Sequence, residues 1–426
     1  MPNLRKMAEH LLYTVLLTTG LCEGLLLHGQ GQDKLPQYHT YGRSLVLNGG
    51  AAINVSVTRE ILKLSGGAGL ARIGVITASS GTPAESYHYY RDLFLQHGAA
   101  KVSWINISES HKELNKDPAM VQLIMNQTGF MFSGGDQARV ISSYFLEDRK
   151  PSPALLAIRH RFEQGAVVAG TSAGTACQSS RVMVAGGMSW EALRYGAFHI
   201  PGHHRDDLVY DPHGGLGFLD GYVLDTHFSE RGREGRLLRL LSDTQYEQYG
   251  TALGFGVDES TALVITHAGT AAAKAKVLGD RGVVLIDVSR SVVDKTAKYF
   301  TIRDVSMSYM TDGDSIKLSD HTLTFSPDKS PLAGQEFYDH ALKSTDIFDG
   351  NRADRRKKPE FVRVATSVFD AKYDRMSHGT TYEKHPRFLV TVFRSGAGAE
   401  AHIRRGHSFQ EDVISFKNLM VSIEEN

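Results

Sequence analysis

A serine at position 172 has the sequence surroundings of a nucleophile. It is the centre of the sequence GTSAG at 170–174, which follows an apolar run of strand length and precedes a run of small residues. A serine presented on a sharp strand-to-helix turn adopts strained backbone angles, and the bracketing Gly170 and Gly174 leave room for that turn. The amide of Ala173 would then point at a bound carbonyl oxygen, at the positive end of a helix. The stretch predicts a nucleophile with half of an oxyanion hole, and a glycine-rich turn at a sheet edge is the structural alternative.

A serine hydroxyl becomes a good nucleophile only when a positioned base takes its proton and a third group holds that base. Among the 19 histidines of the sequence, His227 is the preferred candidate because it lies at the end of an apolar strand. Asp258 and Glu259 also lie at a strand end, and the residues alone allow either carboxylate to orient the imidazole. The alternative for His227 is a structural histidine that is simply hydrogen-bonded.

The elements that would position these groups alternate along the chain. Strands are predicted at 44–47, 71–77, 102–107, 129–132 and 166–171, with helices at 55–64, 83–96, 138–146 and 153–164 and a helical stretch that ends near 126. This alternation predicts parallel pairing in a doubly wound sheet. Ligands bind at the carboxyl ends of such strands, where the sequence GGDQ at 134–137 and Ser172 both fall. We therefore expect the serine, histidine and carboxylate to converge at one rim of a single parallel sheet.

The second half of the chain changes in pattern. Strands are predicted at 221–228, 252–257 and 261–265, and a helix opens with Arg231, Arg233, Arg236 and Arg239. A cationic helix start is unfavourable against the macrodipole, so at least one of these arginines is expected to bind an anion. Alternating residues at 299–302, 315–318 and 388–393 predict antiparallel strands. We predict three parts, which are an N-terminal helix and linker at 1–43, an α/β domain at 44–295 and a mainly antiparallel C-terminal accessory region at 296–426.

Composition and charge exclude several classes of protein. The 47 basic and 47 acidic side chains leave no net charge that would attract nucleic acid or an anionic membrane. Two cysteines cannot form a disulfide framework or a cysteine-rich metal site. Cys177 lies in a predicted buried helix, and its side chain is expected to pack in the protein interior. The stretch 190–217 is rich in histidine and aspartate, but its spacings fit no zinc signature. We interpret it as a polar lid over the pocket, and we predict no metal.

The N-terminal stretch has some features of an export signal. Arg5 and Lys6 precede an apolar run at 11–22, but Glu9 and Glu23 interrupt the pattern and no A-x-A cleavage site follows. The run is also too short to span a bilayer. We expect an accessory helix and a cytoplasmic protein, and export with a cleaved signal at 1–27 is the alternative.

Four sequences together carry a resemblance to a known family. They are GGDQ at 134–137, GTSAG at 170–174, DTHF at 225–228 followed by Arg231, Arg233 and Arg236, and VDE at 257–259. Their order and spacing resemble those of cyanophycinases, serine peptidases whose family also contains aspartyl dipeptidases. The resemblance covers about 44–288 and implies a flavodoxin-like sheet related to class I glutamine amidotransferases.

The resemblance also implies roles for individual residues. Ser172 would be the nucleophile, His227 the general base and Glu259 the group that orients the imidazole. Amides near Gly135 and Asp136 would join that of Ala173 in the oxyanion hole. The substrate pocket would be lined by Gln137, Asp225, Thr226, Arg231, Arg233 and Arg236. The order Ser, His, Glu differs from the Ser, acid, His order of α/β-hydrolases and excludes an esterase or lipase of that class.

The implied activity is hydrolysis of cyanophycin to β-Asp-Arg dipeptides through an acyl-enzyme, without a metal or organic cofactor. Cyanophycin is a polyaspartate whose side-chain carboxylates each carry an arginine, and it would be the expected partner, with a homodimer as the oligomer that the sequence allows. An aspartyl dipeptidase acting on small Asp-X or isoaspartyl peptides is the alternative. Thr226 stands where cyanophycinases usually have glutamine, and the insertion at 199–213 lengthens the interval between Ser172 and His227. A third hypothesis, a nucleotide-binding domain built on the sequence NGG at 48–50, lacks the acidic residue that a dinucleotide site needs.

Overall fold

The computed structural model describes residues 41–199, 204–352, 354, 357–396, 398–406 and 411–426. The described residues belong to one compact unit. Most of the N-terminal part predicted at 1–43 lies outside the described residues, as do Cys22 and His203. No helix within the described ranges is long and apolar enough to cross a membrane.

The first sheet combines a parallel half with an antiparallel half. Its strand order is β17-β16-β12-β11-β1-β5-β4-β2-β3, and β1, β5, β4, β2 and β3 run parallel. The parallel strands are β1 (Ser44–Asn48), β2 (Arg72–Ile76), β3 (Lys101–Ile105), β4 (Gly129–Phe132) and β5 (Val167–Thr171). The antiparallel strands are β11 (Thr261–Thr266), β12 (Lys274–Gly279), β16 (Ser315–Lys317) and β17 (Leu323–Thr324). The chain thus has the mixed α/β fold with a parallel-rich central sheet that the alternating pattern predicts.

Helices connect the parallel strands. They are α1 (Val55–Leu64), α2 (Pro83–Gln96), α3 (Pro118–Met125), α4 (Gln137–Tyr144) and α5 (Pro153–Glu163), with 3-10 helices at Glu109–Lys116 and Glu147–Arg149. The bounds of α1 and α2 agree with the sequence prediction. The sequence TPAE at 82–85 has the form of a capping box, but the side chain of Thr82 makes no capping hydrogen bond. Pro83 at the first helical position is sufficient to start α2.

Alternate residues of the parallel strands pack into two different hydrophobic cores. Leu45 and Leu47 pack with residues of α4 and α5, whereas Val46 packs with residues of α1 and α2. Successive side chains of a strand point to opposite faces of a sheet. The sheet is therefore covered by helices on both faces, as expected for buried parallel strands.

A second sheet contains the strand that leads to His227. Its order is β18-β21-β22-β15-β13-β10-β9. In addition, β14 pairs with β15, and β20 pairs with both β19 and β22. The members are β9 (Val223–Thr226), β10 (Leu253–Val257), β13 (Gly282–Asp287), β14 (Val292–Val293), β15 (Ile302–Thr311), β18 (Ser330–Pro331), β19 (Met376–Thr380), β20 (Phe388–Arg394), β21 (Glu400–Arg404) and β22 (Val413–Glu425). Only β9 and β10 pair in parallel. The domain boundary near residue 295 stays a prediction, and this sheet runs across it because β13 pairs with β15.

The remaining elements lie outside the two large sheets. They are α6 (Ala173–Ala176), β6 (Met183–Val184), α7 (Ser189–Tyr195), β7 (Ala197–His199), β8 (Leu208–Asp211), a 3-10 helix at Ser229–Arg231, α8 (Glu234–Thr244) and α9 (Glu360–Phe369). Helix α8 begins at Glu234, so Arg231 and Arg233 precede it and do not open it as predicted.

The prediction that the serine, the histidine and the carboxylate converge at the rim of a single sheet was wrong. Ser172 follows β5 of the first sheet, whereas His227 follows β9 of the second. Glu259 lies in the turn between β10 of the second sheet and β11 of the first. The three side chains therefore converge where the two sheets meet.

Candidate active site

Ser172 lies in a strained turn between β5 and α6. Its φ and ψ of 52° and −118° are rare for a residue with a side chain. A β-carbon on Gly170 would lie 2.1 Å from the carbonyl oxygen of Gly174, and one on Gly174 would lie 2.3 Å from that of Phe132. The backbone segments approach too closely for any other residue. The GTSAG sequence thus forms the strand-to-helix turn expected from its glycines.

A chain of hydrogen bonds links the serine, the histidine and the glutamate. The Oγ of Ser172 lies 2.8 Å from Nε2 of His227, and Nδ1 of His227 lies 2.7 Å from Oε1 of Glu259. Burial lowers the pKa of His227 below its ordinary value, Glu259 opposes that shift, and the charges of Arg231 and Arg233 add to it. The imidazole is therefore held neutral with Nε2 directed at the hydroxyl, as a base requires.

The carboxylate beside the imidazole is that of Glu259, and Asp258 points elsewhere. Asp258 is buried, where its Oδ1 accepts the N–H of Ser229 at 2.9 Å and its Oδ2 accepts the hydroxyl of Tyr309 at 3.0 Å. The N–H of Glu259 donates to Oε2 of Glu230 at 3.1 Å. The structure thus resolves the choice between the two carboxylates that the residues alone left open. Through its hydrogen bond with Ser229, Asp258 links the segment after His227 to the segment that contains Glu259.

The NGG sequence at 48–50 is in contact with His227. The carbonyl of Gly49 accepts the N–H of His227 at 2.7 Å. A β-carbon on Gly50 would lie 2.2 Å from Cε1 of His227, and one on Gly49 would lie 2.1 Å from the carbonyl oxygen of Asp258. The carbonyl of Asn48 accepts the N–H of Ser172 at 3.1 Å. Sequence reasoning considered these glycines only as a nucleotide loop and missed that they support the histidine, although adjacent glycines at a strand end are a signal of close backbone approach.

Two backbone amides near Ser172 are available for an oxyanion. Within the described residues, the N–H groups of Ala173 and Gly135 donate no hydrogen bond. A β-carbon on Gly134 would lie 3.4 Å from the β-carbon of Ser172, so this loop packs against the serine. The amide of Asp136 does not fit the predicted role, because it donates to the carbonyl of Ser79 at 2.9 Å. Ala173 and Gly135 are the remaining candidates.

Two of the residues predicted to line the pocket are paired with one another in the interior. Asp225 and Arg236 are 0% and 3% exposed, and the guanidinium of Arg236 binds both carboxylate oxygens of Asp225 at 2.8 and 2.5 Å. Arg233 donates to the carbonyl of Thr226 at 2.5 Å and lies 3.6 Å from Asp225. The Thr226 side chain is buried as well. These residues lie in the interior next to the site. Because Asp225 and Arg236 are buried, a ligand does not reach them.

Gln137 and Arg231 have contrasting surroundings. The side-chain amide of Gln137, at the start of α4, donates to the carbonyl of Val184 at 2.7 Å. Arg231 forms no ion pair within the described residues, and its Nε is buried without an acceptor. Burial lowers the pKa of Arg231, and the neighbouring charge of Arg352 contributes to that shift. Arg231 is the arginine of this group that is left for an anion.

The histidine-rich stretch at 190–217 contributes β7 and β8 to a small three-stranded sheet. Strand β8 pairs antiparallel with β6 and parallel with β7. Asp211 binds Arg149 at 2.8 Å, and Asp207 accepts the N–H of His204 at 2.8 Å. Across the described ranges, no group of three histidine, cysteine, aspartate or glutamate side chains could hold a metal ion. Cys177 is buried and burial raises the pKa of its thiol, in agreement with a packing role.

Comparisons with known proteins place this site in a family. Residues 45–272 match peptidase family S51. A cyanophycinase of Synechococcus elongatus is 29% identical over 300 residues, which are 68% of this chain and 84% of the relative. A cyanophycinase of Nostoc sp. is 32% identical over 234 residues, which are 54% of this chain and 68% of the relative. The crystal structure of a peptidase from an acI-B1 Actinobacterium is 20% identical, with a TM-score of 0.45 over 66% of this chain and 99% of that one.

The chain belongs to peptidase family S51. It is a serine peptidase, and the resemblance to cyanophycinases drawn from four short sequences is confirmed.

Proposed function

We propose that this peptidase hydrolyses cyanophycin to β-Asp-Arg dipeptides. The observation that carries the proposal is the hydrogen-bonded chain from Ser172 through His227 to Glu259, beside Arg231, which forms no ion pair with the residues that the structure describes. The chain of hydrogen bonds supplies the chemistry, and the arginine supplies a cation for the carboxylate that each repeat carries. The cyanophycinases of Synechococcus elongatus and Nostoc sp. support this substrate.

In the first step the backbone amide between two aspartates is cleaved. Nε2 of His227 takes the proton of Ser172 as Oγ attacks the carbonyl carbon. The negative charge that forms on the carbonyl oxygen is stabilised by the N–H groups of Gly135 and Ala173. Nε2 then gives its proton to the leaving amine, the C–N bond breaks and an acyl-enzyme remains. Glu259 accepts the Nδ1–H bond throughout and stabilises the imidazolium while it exists.

In the second step water takes the place of the amine. His227 removes a proton from the water, whose oxygen attacks the acyl carbon, and the oxyanion again lies against the amides of Gly135 and Ala173. Collapse of the intermediate breaks the bond to Oγ, and Nε2 returns the proton to Ser172. The depressed pKa of His227 suits this role, since a base must be unprotonated at each attack.

We also propose that the parallel half of the first sheet is a flavodoxin-like core. The order β3-β2-β4-β5 reproduces the 2-1-3-4 part of the flavodoxin-like strand order. The last of these four strands, β5, ends at Thr171, so Ser172 lies at a strand's carboxyl end as ligand sites do in other open α/β sheets.

The proposal is tested with a turbid suspension of cyanophycin. We expect wild type to clear it with release of β-Asp-Arg, detected by mass spectrometry, and Ser172→Ala to leave it turbid. Ser110→Ala, a change at an exposed serine, is the matched control and should clear the suspension at the wild-type rate. Clearing by Ser172→Ala would refute the serine mechanism. A wild type that cleaves Asp-X dipeptides and leaves the polymer intact would decide for an aspartyl dipeptidase.

A further inference from the structure

The arginines near the site differ in what they bind. Arg236 is held by Asp225, and Arg233 lies beside the same carboxylate and donates to the carbonyl of Thr226. Their charges are therefore engaged inside the protein. Arg231 has no such partner within the described chain, and a buried guanidinium nitrogen without an acceptor is costly. Within the described residues, no anion is therefore bound to the guanidinium of Arg231.

A loop of the C-terminal region packs directly against the segment that carries Arg231. A β-carbon on Gly232 would lie 1.8 Å from the carbonyl oxygen of Phe348, and one on Gly350 would lie 2.0 Å from that of Glu230. Glycines are therefore needed on both sides of the contact. Because the two backbones touch on both sides of Arg231, the position of the loop relative to the site is fixed.

The end of this loop is fixed as well. The N–H of Asn351 donates to Asp349 at 2.8 Å, and its side-chain amide donates to the carbonyl of Lys358 at 2.7 Å. Arg352 comes next and is two residues from the contact of Gly350 with Glu230. Its side chain is exposed and makes no hydrogen bond or ion pair with any residue that the structure describes. The guanidinium of Arg352 is close enough to that of Arg231 for the two charges to interact.

The electrostatics agree with this geometry. Burial lowers the pKa of Arg231, and the charge of Arg352 adds to that shift. Burial also lowers the pKa of Arg233 to about 9, where Arg236 is the largest charge contribution and Arg352 a smaller one. Glu259 and Asp225 offset part of the repulsion at Arg231, and an anion bound between the like charges would relieve the rest. Guanidinium groups bind carboxylates through paired, planar hydrogen bonds.

We propose that Arg352, with Arg231, binds the carboxylate of an arginine residue of the substrate. This assignment rests on the proposed function, because the arginine carboxylate is the one that each cyanophycin repeat carries. Arg352 lies outside residues 45–272, the part that matches the peptidase family. The C-terminal region, for which the sequence indicated no mechanistic role, thereby contributes a residue that determines specificity.

The test measures binding, so that it does not depend on turnover. In the Ser172→Ala background, calorimetry compares a trimer of β-Asp-Arg units with the same trimer in which every arginine carboxylate is amidated. We expect Arg352→Gln to weaken binding of the free-acid trimer about tenfold, as one lost charge-assisted hydrogen bond implies. The amidated trimer should bind equally to both proteins. Arg59→Gln, a change at an exposed arginine of α1, is the control and should alter neither.

The outcomes separate this inference from the proposed function. Equal loss of affinity for both trimers, no loss for either, or no binding of the free-acid trimer at all would overturn the role of Arg352. If wild type fails to hydrolyse the polymer while the Arg352-dependent preference for the free acid is present, the proposed activity is wrong and the carboxylate site is supported.

Discussion

The hydroxyl of Tyr309 donates to Oδ2 of Asp258 at 3.0 Å, and both side chains are buried. Tyr309 belongs to β15, whereas Asp258 directly precedes the glutamate that binds the imidazole. The other oxygen of Asp258 accepts the N–H of Ser229, two residues after His227. A strand of the C-terminal half therefore helps to hold the loops of the base and of its carboxylate together.

Tyr309→Phe should lower kcat roughly tenfold with little change in KM, because removal of one hydrogen bond to a buried carboxyl costs about 1–3 kcal/mol. The hydroxyl does not reach substrate, so the loss acts through the position of Glu259. Steady-state kinetics on a soluble oligomer measures both constants. Tyr246→Phe, at a tyrosine that is 90% exposed, should behave as wild type. A Tyr309→Phe enzyme with wild-type kcat would show that the hydrogen bond does not position the site.

Gly50→Ala should nearly abolish activity in a protein that still folds. The new β-carbon would lie 2.2 Å from Cε1 of His227, and the ring must move away from Ser172 to avoid it. We expect kcat/KM to fall by about 100-fold or more, as for a misplaced catalytic group. The rate on a soluble oligomer and the near-ultraviolet circular dichroism are measured together.

The matched control for this substitution is Gly67→Ala. Gly67 also has a positive φ, of 89°, but a β-carbon there meets no atom within 4 Å. Both variants introduce strain of the same kind, and only that at position 50 reaches the imidazole. Equal activity of the two variants would contradict the supporting role assigned to Gly50.

Local sequence was sufficient to predict the parallel strands, the helices α1 and α2 and the turn that carries Ser172. Helix α2 is marked by a proline at its first position and α1 by its apolar spacing, and both are properties of neighbouring residues. The turn at Ser172 was also predictable, because the glycines that it needs lie two residues on either side. Glu259 was assigned by resemblance, since the spacing alone did not separate it from Asp258.

Features that depend on distant contacts were not predictable. That β5 and β9 belong to different sheets follows from pairings between strands far apart in sequence. The amide of Asp136 is occupied by Ser79, and Arg236 is occupied by Asp225, although both motifs suggested exposure to ligand. Periodicity and motif spacing describe which residues are near in sequence, and they do not describe which backbone will accept a given hydrogen bond.

The pH dependence of catalysis should reflect the depressed pKa of His227. Since only the neutral imidazole can act as base, kcat/KM should stay high as pH falls below about 6.5, the ordinary value for histidine, and should be lost at lower pH. Arg231→Gln removes one of the positive charges that lower this pKa. The acidic limb of its profile should shift to higher pH, whatever the change in absolute rate. A limb that stays in place would show that Arg231 does not act on the imidazole.

Glu234 should make the fold less stable as pH rises. It is buried, and burial raises its pKa to about 8, although its own backbone N–H and Ser229 oppose that shift. Between the unfolded value near 4.5 and about 8, the folded protein binds the proton that the unfolded chain has lost, so the free energy of unfolding decreases with rising pH.

Glu234→Gln removes this titration while keeping the shape of the side chain. Thermal unfolding of the variant, followed from pH 5 to pH 8.5, should show a smaller fall in Tm than wild type, because the side chain at position 234 no longer ionises. Glu230, whose pKa burial also raises to about 8, contributes a fall of the same sign that the variant retains. Glu85→Gln, at an exposed position on α2, should follow the wild-type curve. If the Glu234→Gln curve also parallels that of wild type, the buried carboxyl does not govern the loss of stability at alkaline pH.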